Sequence, residues 1–124
     1  MMASAVTSRF EAVLNVDMEA PDGRSETLSA VIDTGFGGFI ALPLELIAKM
    51  GLRLAGGDGL VLADGNEASF RVCDIVVHWH ERPLLARVQE ADAEALIGMA
   101  LLRGSRLTMD IIQNGSLQIE AVGE

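Results

Sequence analysis

Apolar and polar residues alternate along much of the chain. Leu14, Val16 and Met18 interleave with Asn15, Asp17 and Glu19, the period-two pattern of a strand with one buried face. Pro21-Asp22-Gly23 marks a turn, and Leu28, Ala30 and Ile32 resume the apolar face. The two runs predict a hairpin that ends at Asp33-Thr34-Gly35. Phe36 to Leu42 is Gly-rich and then extended. Pro43 to Met50 reads as a short helix, with Pro43 at the first helical position, Glu45 and Lys49 paired at i,i+4, and Gly51 as its stop. Leu46, Ile47 and Met50 would face inward.

Further hairpins follow. Leu60 to Ala63 and Asn66 to Val72 flank Asp64-Gly65, a strong short-range hairpin signal. Ile75 to Trp79 and Pro83 to Val88 predict another around Glu81-Arg82. Glu90 to Ala95 is acidic and Ala-rich, a loop or a helical turn. Leu96-Ile97-Gly98 leads into a short helix, Met99 to Arg103, stopped by Gly104. Leu107, Met109 and Ile111 predict a strand, Asn114-Gly115 a turn, and Leu117, Ile119 and Ala121 the last strand. The pattern is that of one all-β domain, closed or sandwich-like, with two short helices. No linker or low-complexity segment divides it.

Composition narrows the function classes. A length of 124 residues suits a single domain. Half the residues are hydrophobic and mean hydropathy is +0.35, slightly rich for a small soluble monomer, which raises the expectation of a buried subunit interface. With 4% aromatic residues and no Tyr, the core must be aliphatic. The net charge is −9, with nine acids on each side of Gly65, so the excess is diffuse surface charge. No Lys/Arg cluster exists to bind nucleic acid or an anionic membrane. A lone cysteine, Cys73, excludes an internal disulfide and a Cys-based zinc site and fits a reducing compartment. Met1 to Ala12 lacks a basic region followed by an apolar run, so no signal peptide is expected. The apolar stretch Leu96 to Leu102 is too short to span a bilayer. A cytoplasmic protein is expected.

The first candidate for chemistry is Val31-Ile32-Asp33-Thr34-Gly35. An apolar strand delivers a carboxylate into a tight turn. Thr34 offers a hydroxyl, and Gly35 allows backbone close to the carboxylate. Asp is also common at strand ends as a turn former, and the tripeptide alone does not decide between the two.

Its context adds to it. The Asp33-Thr34-Gly35 run, the Asp64-Gly65 hairpin, and Ala95-Leu96-Ile97-Gly98 before a helix stand in an order that resembles the retropepsin-like branch of the aspartic proteases. The likeness runs from about Arg9 to Val122, and Phe36 to Met50 and Gly98 to Asp110 look closest to the small bacterial members. The resemblance implies a retropepsin-like closed β-barrel, half of an acid protease, acting as a homodimer on a peptide or protein substrate without a cofactor. Asp33 would be the one catalytic carboxylate of each chain. Thr34 would bond across the twofold axis and Gly35 would contact substrate backbone. Asp64 and Gly65 would form a flap over the cleft. Leu96, Ile97 and Gly98 would pack beneath the active-site loop. The terminal strands, near Leu14 and Leu117 to Val122, are candidates for a dimer sheet.

The chain departs from the family at three places. A large ring, Phe36, follows the motif where a small residue is usual; it could fill a specificity pocket or block one. Gly37 and Met99 stand where many relatives pair an acid with an Arg. Both partners are absent together, so no lone charge is left. The flap has no aromatic residue at its tip.

Other features weigh less. His78 and His80 share a strand face at i and i+2 with Glu81 nearby, a pattern open to metal binding or to two exposed histidines flanking an inward Trp79. No further His exists in the chain, and no metal is expected. Cys73 lies in an apolar strand and reads as a small hydrophobe. Asp110 is expected to face solvent or bond a turn, and Glu90, Asp92 and Glu94 to form a solvated face. The glycine-rich Gly35 to Gly38 and Gly56 to Gly59 complete no phosphate-binding motif.

Overall fold

The structure is a computed structural model, and it describes residues 4–53, 55–61 and 67–123. The elements run β1 (Ser4–Val6), β2 (Ala12–Glu19), β3 (Ser25–Ile32), β4 (Ile40–Pro43), α1 (Leu44–Lys49), β5 (Ala55–Val61), β6 (Glu67–Trp79), β7 (Arg82–Ala91), β8 (Leu96–Ile97), α2 (Met99–Leu102), β9 (Ser105–Met109) and β10 (Leu117–Ala121). The expected all-β architecture with two short helices is present.

The main sheet has the order β1-β2-β3-β8-β4-β7-β6-β5 and closes on itself. Its closure is a short antiparallel pairing of β2 with β6, Asp17 to Glu19 against His78 back to Val76. The β2–β3 and β6–β7 hairpins supply the long ladders, and the β5–β6 hairpin extends beyond the closed circuit. β9 and β10 form a separate two-stranded sheet. It is tied to β1 where the Val6 amide donates to the Gly115 carbonyl at 3.0 Å and the Ser4 hydroxyl donates to the Leu117 carbonyl.

The alternation read from the sequence now has a physical partner. Leu14, Val16 and Met18 from β2, Leu28, Ala30 and Ile32 from β3, and Ile75, Val77 and Trp79 from β6 are all buried, and they meet Ile40, Leu42, Ala86, Val88 and Ile97 in one core. The core is aliphatic apart from Trp79. Each Leu or Ile buried there is worth roughly 1.5–3 kcal/mol relative to exposure.

α1 ends in a Schellman motif. The Gly51 amide donates to Ala48 O and the Leu52 amide to Ile47 O, both at 3.0 Å, with Gly51 at φ +65°. Ile47 and Met50 are buried, as expected, and Leu46 is partly so. Three local expectations need correction. Pro43 is extended and caps α1 from outside it, because it is still paired in parallel with Ala91 of β7. Lys49 reaches Glu26 of β3 at 2.9 Å rather than Glu45. The β6–β7 turn is His80-Glu81, both at positive φ (50° and 62°), while Arg82 already pairs with Trp79.

Candidate active site

β3 and β4 follow one another in sequence but do not pair. The two-residue β8 lies between them, parallel to β3 with Ile32 beside Ile97, and antiparallel to β4 with Ile40 beside Ile97. Ile97 has no exposed surface. Leu96 and Ile97 thus form the floor between two strands whose connecting loop, residues 33–39, has to cross over the end of β8. Asp33 stands where β3 gives way to that loop. Its amide donates to Ile97 O at 2.9 Å, and the Val31 amide donates to Ala95 O at 2.9 Å.

The loop turns sharply. The Phe36 amide donates to the Asp33 carbonyl at 3.1 Å, and the Gly35 amide donates to the Asp33 carboxylate oxygen Oδ1 at 2.9 Å. That bond fixes the direction of the carboxylate. A Cβ at Gly35 would stand 3.2 Å from the same oxygen, so the glycine permits the approach. Asp33 is half-buried, and Thr34 and Gly35 are exposed. The Thr34 hydroxyl has no partner among the described residues.

The loop is also seated from below. The first amides of a helix have no partner within it. In α2 they are satisfied by the motif loop: Gly98 N donates to Phe39 O at 3.0 Å, Met99 N to Phe36 O at 2.8 Å, and Ala100 N to Gly38 O at 3.1 Å. Gly98 is required by this closeness. A Cβ there would meet the Phe36 carbonyl oxygen at 2.7 Å, the Phe36 ring at 2.6 Å, and the Gly38 carbonyl oxygen. These carbonyl contacts leave no side-chain signature in the sequence; the glycine at 98 is their trace.

Of the residues singled out from sequence, Asp33, Thr34, Gly35, Leu96, Ile97 and Gly98 come together. Asp64 and Gly65 lie outside the described residues; the strands that lead to them, β5 and β6, are antiparallel with Val61 opposite Glu67. Phe36 is half-buried. Gly37 lies within the same loop, and Met99, which is half-exposed, bonds to it through its amide.

The remaining candidates lie elsewhere. His78 is 4.0 Å from Glu19, and His80 Nε2 is 2.7 Å from Ser105 Oγ. Both line a groove of about 830 Å³, yet no three metal-ligating side chains gather there or elsewhere among the described residues. Trp79 packs inward, with its indole N–H unpaired. Cys73 lines a second concavity with Arg24, Arg53 and Arg87. Burial pushes its thiol pKa up, and the neighbouring Asp74 carboxylate adds to the rise, the opposite of what a nucleophile needs. Asp110 is exposed and accepts from the Ser116 hydroxyl at 3.0 Å. None of the three main concavities among the described residues is lined by Asp33.

The fold thus defined is that of the retropepsin-like aspartic proteases. A solved structure with the same architecture is a retropepsin-like aspartic protease from Rickettsia conorii, 18% identical in sequence, with a TM-score of 0.59 over 98% of this chain and 94% of that one. No family model and no curated protein matches the sequence. No helix among the described residues is long and apolar enough to cross a membrane.

Proposed function

We propose that the chain, as one domain, is half of an aspartic endopeptidase, and that two copies pair to bring two Asp33 carboxylates onto one water. The observation that carries this reading is the seat of Asp33. It lies at a strand end with its carboxylate held by the Gly35 amide, on a loop bonded through its backbone to β8 and α2. A turn-forming Asp needs the first of these features but not the second.

Two carboxylates about 3 Å apart cannot both ionise easily and share one proton. The ionised member takes a proton from water as the water attacks the peptide carbonyl. The protonated member gives its proton to the carbonyl oxygen. Thr34 is available to bond its counterpart across the axis, Gly35 to present backbone to substrate, and the Asp64-Gly65 turn to close over the cleft. The cytoplasm is the proposed compartment.

The test is cleavage of a diverse unstructured peptide mixture, read by mass spectrometry from about pH 4 to about pH 7. Asp33→Asn should abolish cleavage while leaving fold and dimer intact. Cleavage at the wild-type rate by Asp33→Asn would overturn the reading. A second reading, a dimeric binding module without activity, is favoured by Gly37 and Met99 at the loop, which offer no ion pair between subunits. It expects a folded dimer that cleaves nothing at any pH.

A further inference from the structure

Phe36 follows the motif directly, and its ring packs against its own chain. A Cβ added at Gly38 would stand 2.6 Å from Phe36 Cζ and 2.7 Å from Cε1, and one added at Gly98 would stand 2.6 Å from Phe36 Cδ2. The ring therefore lies folded back over two glycines, one in the motif loop and one at the start of α2. It is half-buried there. The same residue's amide closes the turn on the Asp33 carbonyl, and its carbonyl receives the Met99 amide. Backbone and ring thus act at one junction.

We infer that Phe36 is a positioning residue, a wedge whose ring clamps the Asp33 loop onto α2 and so sets where the carboxylate points. The space for the ring exists because residues 38 and 98 have no Cβ. The clamp is apolar and lies within one chain, so it holds the loop whether or not an ion pair joins the subunits. The packing part of this inference stands without catalysis; the positioning part rests on the peptidase reading above.

Gly38 makes the packing testable. It is not among the residues at positive φ, and the nearest atoms to a Cβ there are side-chain atoms only: the Phe36 ring and Gln89 Nε2 at 3.1 Å. With the ring fixed as a wedge, Gly38→Ala should lower the melting temperature by about 4 °C or more, since overpacking a fitted site is destabilising; an unchanged melting temperature would show that the ring swings aside freely and would overturn the wedge. Added to Phe36→Ala, the same change should cost little, because the ring is no longer there to be struck. Additive losses in the Phe36→Ala/Gly38→Ala cycle would show that the ring does not sit on Gly38 and would overturn the wedge. This cycle needs no activity, so it stands or falls separately from the peptidase reading.

Positioning is read next, on the wild-type, Phe36→Ala and Phe36→Leu dimers at saturating protein concentration. Phe36→Ala should lower kcat about tenfold or more with little change in KM. Its pH–rate profile should differ from that of the wild type, because the general acid and the general base work as a spaced pair. Phe36→Leu should restore most of kcat by refilling the space. A rise in KM at unchanged kcat would make Phe36 a wall of the substrate pocket and overturn the positioning role. So would an unchanged kcat and pH profile in a variant whose melting temperature has fallen.

Discussion

Gly98 shows how a single absent methyl group can place a carboxylate. Its backbone is extended, φ −106° and ψ 178°, so any residue could adopt the conformation. What it lacks is room, because the Phe36 and Gly38 carbonyl oxygens and the Phe36 ring all crowd the place a Cβ would take. Gly98→Ala must push the loop off α2 and should cost about 1–3 kcal/mol. Because two of the blocking atoms are backbone, Phe36→Ala should not rescue it, unlike the substitution at Gly38. Urea unfolding of both variants checks this, and a Gly98→Ala midpoint equal to wild type would mean that the loop is not seated there. Cys73 carries a different prediction. Its thiol is held protonated, above its ordinary value of 9.0, first by burial and then by Asp74. A raised folded pKa contributes stability that is full below the ordinary value and is lost as pH rises through the folded one. Cys73→Ala should flatten the alkaline decline in melting temperature that sets in as pH rises past 9.0. An unchanged decline would place its cause elsewhere.

At the scale of elements, what the sequence reveals is what local physics decides. The paired runs of β2 and β3 are legible because one face of each is buried and Pro21-Asp22-Gly23 turns the chain between them. α1 is legible from its apolar positions and Gly51. Asn114 adopts φ 58° at the predicted turn. The His80-Glu81 turn is one residue out of place because the strand pattern, not the turn residues, had to locate it; two-residue turns of this kind favour Asn-Gly or Asp-Gly. Ile111 is read as strand from its apolar character, but β9 stops at Met109, and Ile111 is left exposed in the turn that carries Asp110. Pairings between distant segments have no local signal at all. Nothing in Leu96-Ile97 alone says that it enters between β3 and β4, and nothing in Met18 or Val77 says that they close the sheet. Asp33 can therefore be singled out from local pattern, whereas the packing of Leu96, Ile97 and Gly98 beneath its loop is expected only through the family resemblance. That insertion should be costly to weaken: Ile97→Ala removes a fully buried side chain at the meeting of three strands and should destabilise by about 2–5 kcal/mol. A loss under about 1 kcal/mol in denaturant titration would argue that β8 is not a packed floor.

The whole molecule is joined at its two ends, because β1 bonds to the Gly115 and Leu117 carbonyls. It nevertheless carries only one Asp-Thr-Gly. If the proposed site needs two chains, mixing has an arithmetic consequence that no single-chain enzyme shares. Asp33→Asn changes one exposed-side carboxylate to an amide of the same shape, so mutant and wild-type chains should pair without preference. In a random mixture, a wild-type chain finds a wild-type partner in proportion to the wild-type share. An equal amount of Asp33→Asn should therefore halve the activity per wild-type chain, and a ninefold excess should lower it to about a tenth. The mixture has to be equilibrated through dissociation first, because subunits that never separate cannot exchange. Total protein also has to exceed the dimer dissociation constant, so that added mutant does not create dimers that were absent before. A fall along this curve would establish that two copies of this chain build the site. Undiminished activity under ninefold excess, in a sample whose exchange is verified by native mass spectrometry of size-tagged chains, would mean that Asp33 works alone or with a partner other than its own copy.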